Sequence, residues 1–114
     1  MSRTTLNPSR RRRNYAPIFA ALGDETRLSL VSKLSGGEPY SISRLTEGTQ
    51  LTRQAVTKHL NVLKDARIVR SVKAGRESLY ELDPAPIREV RDYMDFVSAR
   101  WDEALARLKK LVED

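Results

Sequence analysis

The chain has 114 residues, 39% of them hydrophobic and 32% charged, which suits one soluble, ordered domain and leaves no room for a separate catalytic domain. It carries no cysteine and a single histidine, so disulfides, thiolate metal ligation and cysteine nucleophiles are excluded. The formal charge of +6 gathers in residues 1–14, where Arg3, Arg10, Arg11, Arg12 and Arg13 face no acid; a polyanionic partner must therefore be argued from where the remaining bases sit.

Residues 1–14 have no periodicity and read as a flexible basic arm, suited to a minor groove or to non-specific affinity, with one domain expected over 15–114. The apolar stretch after the arm is only eight residues long and runs into Gly23-Asp24-Glu25, too short for a signal peptide or a membrane span. A cytoplasmic chain is expected.

Pro17 suits the first turn of a short helix running to Leu22, which Gly23 ends. Asp24 then caps a second helix carrying Leu28, Leu30, Val31 and Leu34, stopped by Gly36, Gly37 and Pro39. Ser41 caps a third, short helix with Ile42 and Leu45 facing inward and Gly48 at its end, although Arg44 stands where a capping box needs an acid. Thr52 caps a fourth helix ending near Ala66, whose Val56, Leu60 and Leu63 form a buried stripe.

The runs Ile68–Lys73 and Glu77–Leu82 are β-compatible and flank Ala74-Gly75-Arg76, so a hairpin is expected there. Pro84 and Pro86 separate it from a last helix of about 27 residues, roughly 40 Å long. On that helix Ile87, Val90, Met94, Val97, Trp101, Ala104, Leu108 and Leu111 alternate at spacings of three and four, a heptad seam. Tyr93, Phe96 and Leu105 widen it, as a helix packed on both its own domain and a partner requires.

Two short helices followed by a hairpin make a winged helix-turn-helix: mainly α, with a two-stranded β-hairpin wing and a long terminal dimerisation helix. If the stripe of the fourth helix points inward, Arg53, Gln54, Thr57, Lys58 and Asn61 point outward at the spacing of a major groove. Arg pairs with guanine and Gln or Asn with adenine, while Lys and Thr suit phosphates as well as bases. From Arg53 to Arg76 seven basic residues face only Asp65, so phosphate attraction concentrates around helix and hairpin.

The segment Phe19-Ala-Ala-Leu-Gly-Asp-Glu-Thr-Arg27-Leu resembles the opening motif of ArsR-type repressors, and Leu51–Ala66 resembles their recognition segment. The similarity continues through Gly75-Arg76 and Tyr80-Glu-Leu82 to Trp101-Asp102. The resemblance implies a homodimer that represses transcription from a palindromic operator in double-stranded DNA. It assigns DNA contact to Thr52, Arg53, Gln54, Thr57, Lys58 and Asn61, with Lys73 and Arg76 from the wing and His59 placed to bond a phosphate. Dimerisation is expected through the first and last helices: Ile18, Phe19, Met94, Val97, Trp101, Leu105 and Leu108.

Relatives that sense metals use cysteines or histidine–carboxylate clusters; without cysteine and with only His59, no metal site and no cofactor are expected. Asp92, Asp95, Asp102 and Glu103 read as solvated charges on a long helix. Arg67 stands where many relatives have glycine, at about 1 kcal/mol if the turn is left-handed. An enzyme is excluded for want of any catalytic constellation, and the alternative is a winged-helix module that binds protein. The inducing signal is not encoded in any recognisable cluster.

Overall fold

Three of the helices begin on the side chains expected to cap them. A computed structural model describes residues 14–113, so the arm, except for Asn14, lies outside the described residues. Helix α1 (Ala16–Leu22) has Pro17 in its first turn, and the Asn14 Oδ1 accepts from the Ala16 N–H. Helix α2 (Glu25–Leu34) starts at Asp24, whose Oδ2 accepts from the Arg27 N–H at 3.0 Å. Strand β1 (Tyr40–Ser41) leads into α3 (Ile42–Thr46), capped by the Ser41 Oγ, and α4 (Arg53–Asp65) is capped by the Thr52 Oγ1. Each cap satisfies an N–H that the first helical turn leaves without a partner.

Strands β2 (Val69–Ala74) and β3 (Glu77–Leu82) pair antiparallel, with Ala74 opposite Glu77, so Gly75 and Arg76 alone form the turn. Gly75 has φ 65° and Arg76 is not left-handed, the pattern of a type II′ turn with glycine at its first central position. The sheet has three strands in the order β1-β3-β2, because Tyr40 and Ser41 pair with Tyr80 and Leu79 on the free edge of β3. The hairpin expected from sequence thus gains a third, two-residue strand.

Residues 14–86 and the helix from Ile87 onward form two units. The core of the first unit is Leu30, Leu34, Leu45, Val56, Leu60, Leu63, Ile68, Val69 and Tyr80, with Ala21. Three of these residues come from α4 and the rest from the other helices, the hairpin strands and the junction at Ile68, so the helix-turn-helix and the hairpin share one apolar floor. Leu28, by contrast, is exposed, although it lies on the same helix as Leu30 and Leu34.

The junction between α4 and β2 corrects the expected strand boundary. The Ile68 N–H donates to the Leu63 carbonyl and the Arg67 N–H to the Lys64 carbonyl, both at 2.9 Å, which is a Schellman closure with Arg67 at its left-handed position, φ 64°. Ile68 therefore spends its N–H on closing the helix, and the ladder starts at Val69. Because a side chain is strained in that conformation, Arg67→Gly is expected to raise stability by ~0.5–1 kcal/mol, read as a melting temperature a few degrees higher. Arg67→Val is expected to lower it.

The last helix, α5 (Pro84–Glu113), has 30 residues and takes in the two prolines that were expected to precede it. Their missing N–H groups fall in the first turn, where no intrahelical bond is made, and the Asp83 Oδ1 accepts from the Ala85 N–H between them. Among the described residues no helix is long and apolar enough to cross a membrane.

Candidate nucleic-acid interface

The connection between α3 and α4 is held by its own side chains. Gly48 has φ 75°, the Thr49 hydroxyl donates to the Thr46 carbonyl at 2.7 Å and accepts from the Leu51 N–H, and the Lys33 Nζ donates to the Leu45 carbonyl from α2. These bonds, with Leu45, Val56 and Leu60 buried beneath, set the direction in which α4 leaves the turn.

Along α4 the stripe Val56, Leu60 and Leu63 is fully buried. At about 100° per residue the opposite side carries Gln54, Lys58 and Asn61, and all three are exposed. Arg53 is exposed on one flank of that face. Thr57, half-buried beside it, donates its hydroxyl proton to the Arg53 carbonyl at 2.8 Å, which leaves its oxygen as an acceptor toward base amino groups. Thr52 spends its oxygen on the helix cap.

Val62, 40% exposed, was passed over in the sequence, where the only signal was a valine out of step with the buried stripe. An apolar side chain on this surface suits the methyl of thymine.

His59 lies on the flank opposite Arg53. Its Nδ1 is 3.2 Å from the Arg27 Nη1 and 3.8 Å from the Asp24 Oδ2. A guanidinium only donates, so the shorter contact makes Nδ1 an acceptor and puts the ring proton on Nε2, the one nitrogen left for a phosphate. The Arg27 Nε also donates to the Ala21 carbonyl at 2.6 Å and its Nη2 to the Ala20 carbonyl, so one side chain closes α1 while bracing α4 from α2. This is the physical content of the Asp24…Arg27 motif. The Arg27 N–H, and the Arg27 charge more weakly, hold the Asp24 carboxyl below its ordinary value against the opposing effect of burial. The cap is consequently intact at neutral pH and is lost only as acid protonates Asp24 below the usual carboxylate range.

The basic surface of the hairpin is narrower than its sequence implies. Arg70 is bound to Glu81 across the strands at 2.7 Å, which strengthens its hold on its proton and neutralises it as a phosphate ligand. Lys73 and Arg76 are exposed, so the charge sits toward the tip. Arg44 is likewise engaged, with Glu38 and over the Tyr40 ring.

On α5, Met94, Val97, Trp101, Leu105 and Leu108 are all exposed, Trp101 at 66% and Leu108 at 57%. Ile18 of α1 is half-buried and Phe19 exposed. Among the described residues no three His, Cys, Asp or Glu side chains gather as ligands for a metal ion.

Residues 22–72 match a family model described as a helix-turn-helix domain. The HTH-type transcriptional regulator Rv2034 of Mycobacterium tuberculosis is 36% identical over 95 residues, covering 83% of this chain and 85% of that relative. The arsenical resistance operon repressor of Bacillus subtilis is 31% identical over 71 residues, 62% of this chain and 68% of its own. Among solved structures, an ArsR-like transcriptional regulator from Rhodococcus sp. RHA1 superposes with a TM-score of 0.74 at 38% identity, over 85% of this chain and 91% of that one. With its helix-turn-helix, hairpin wing and long terminal helix, the chain belongs to the ArsR family of helix-turn-helix transcriptional regulators.

Proposed function

We propose that the protein is a repressor that occupies a palindromic operator as a homodimer, with α4 in the major groove and the hairpin tip on the backbone. The observation that carries this reading is the outward face of α4, where Gln54, Lys58 and Asn61 stand exposed directly behind a fully buried stripe. A repressor rather than an activator is supported by the name of the Bacillus subtilis relative. Arg53 and Thr57 flank the reading face, Thr52 fixes the start of its helix, and Lys73, Arg76 and the His59 Nε2 take phosphates.

The homodimer is built on the apolar stripe of α5, from Met94 through Val97, Trp101 and Leu105 to Leu108, with Ile18 and Phe19 of α1 contributing. A helix this apolar on one side gains most by burying that side against a second copy. The basic arm over residues 1–14 adds affinity for DNA, and residues 15–114 form the binding and dimerisation domain. The protein acts in the cytoplasm, where its DNA lies, and it needs no cofactor. Its lack of cysteine separates it from thiolate sensing of arsenic, whatever its relative's operon.

Binding to the duplex upstream of its own gene, set against random duplex of equal length at moderate salt, tests the reading. Preference for one palindromic segment by at least about a thousandfold is expected. Equal affinity for both duplexes would overturn it.

A further inference from the structure

Between the start of α4 and the turn of the hairpin lies a cleft of about 270 Å³, lined by Ser41, Ser43, Arg53, Arg76, Glu77 and Ser78 among others. Arg53 is the first residue of α4 and Arg76 the second residue of the turn, so folding brings two arginines from separate elements onto one opening. Neither has a carboxylate within ion-pair distance among the described residues, although Glu77 lines the same cleft. The other arginine of the hairpin, Arg70, is by contrast neutralised by Glu81.

The donors around this opening suit an oxyanion. Both guanidiniums only donate, the Ser43 and Ser78 hydroxyls make no hydrogen bond among the described residues, and Ser41 accepts from the Arg44 N–H while keeping its own proton to donate. Two arginines against one glutamate leave the lining with a single positive charge, which matches a phosphodiester. A free phosphate at neutral pH carries more than one negative charge and is the poorer match.

We propose that this cleft grips one backbone phosphodiester of the operator, shared between Arg53 and Arg76, so that the wing is joined to the recognition helix through the DNA strand itself. The inference rests on the DNA-binding reading and deepens it: Arg53 becomes a backbone ligand that sets the register of α4 rather than a reader of guanine. Glu77 weakens the grip and keeps it specific for a singly charged group.

The test is a scan of the operator duplex with one uncharged methylphosphonate at a time, read as affinity for the full chain and for Arg53→Ala, Arg76→Ala and the double variant. In the wild type one position per half-site is expected to cost roughly tenfold to a hundredfold when neutralised. That same position should lose its sensitivity in part in each single variant and wholly in the double. The double variant should also lower the slope of log affinity against log salt by about 0.9 per half-site. Glu77→Gln should tighten binding severalfold, and only while both arginines are present.

If Arg53→Ala and Arg76→Ala silence different positions, or none, the shared phosphate is refuted while operator binding stands. If inorganic phosphate competes beyond its ionic strength, the occupant is a free anion and the proposal fails. A wild type without operator preference overturns the DNA-binding reading instead. Melting curves of the variants matching the wild type exclude unfolding as the cause of any loss.

Discussion

Alanine at both Gln54 and Asn61 is expected to remove most of the preference for the operator while leaving affinity for random duplex unchanged. Each amide is exposed on the outward face of α4, and a bidentate amide–adenine pair contributes ~1–3 kcal/mol of discrimination. The pair together carries ~2–6 kcal/mol, a fall in preference of roughly 30-fold to 10⁴-fold. Neither residue is charged, so the salt slope should not move.

Stability should change by no more than about 0.5 kcal/mol, because both side chains lie in solvent. Lys58→Ala makes the contrast: affinity falls evenly across sequences and the slope drops by about 1 per half-site. Titrations of both duplexes at several salt concentrations separate the two outcomes. If the double alanine variant weakens operator and random duplex equally, the amides bond phosphates and α4 does not read bases.

Leu105→Glu with Leu108→Glu is expected to turn the dimer into a 13.0 kDa monomer and to lower affinity for a two-half-site operator by about a hundredfold or more. The two leucines are 48% and 57% exposed, next to a Trp101 left two-thirds in water. Burying a leucine contributes ~1.5–3 kcal/mol, so two on each copy account for much of a micromolar association.

Two carboxylates placed in that seam would have to be desolvated without partners. Binding to a single half-site should survive, because the substitutions lie far along the sequence from Arg53–Arg76. Sedimentation of wild type and variant at micromolar concentration provides the check. A wild-type monomer, or a variant that remains dimeric, would remove α5 from the dimer interface.

Where a structural feature depends on neighbours within a few residues, it was legible in the chain. The caps at Asp24, Ser41 and Thr52 each bond an N–H three residues on, and the Val56, Leu60, Leu63 stripe needs only the helical repeat. The turn at Gly75 needs only a glycine between two β-compatible runs, and the exposed face of α4 follows from its buried stripe. The caps, the hairpin turn, the buried stripe and the exposed face opposite it were therefore set by local spacing. The starting point of α5 was misjudged because prolines usually break a helix, yet in its first turn they cost no hydrogen bond.

What only the tertiary structure decided are the pairings between distant segments. Strand β1 is two residues long, too short for any periodicity, and exists because Tyr40 and Ser41 meet the edge of β3 some forty positions on. Arg27 and His59 come together across thirty-two positions, which moves the histidine's Nδ1 out of the phosphate-binding set.

Arg70 and Arg76 are alike in local sequence, but Glu81 stands opposite Arg70 on the neighbouring strand and pairs with it. Long-range contacts of this kind are chosen by packing over one core, which fixes which charges end up paired. The chain's local pattern made it a winged helix-turn-helix regulator, and its tertiary packing determined which arginines remain free to hold DNA.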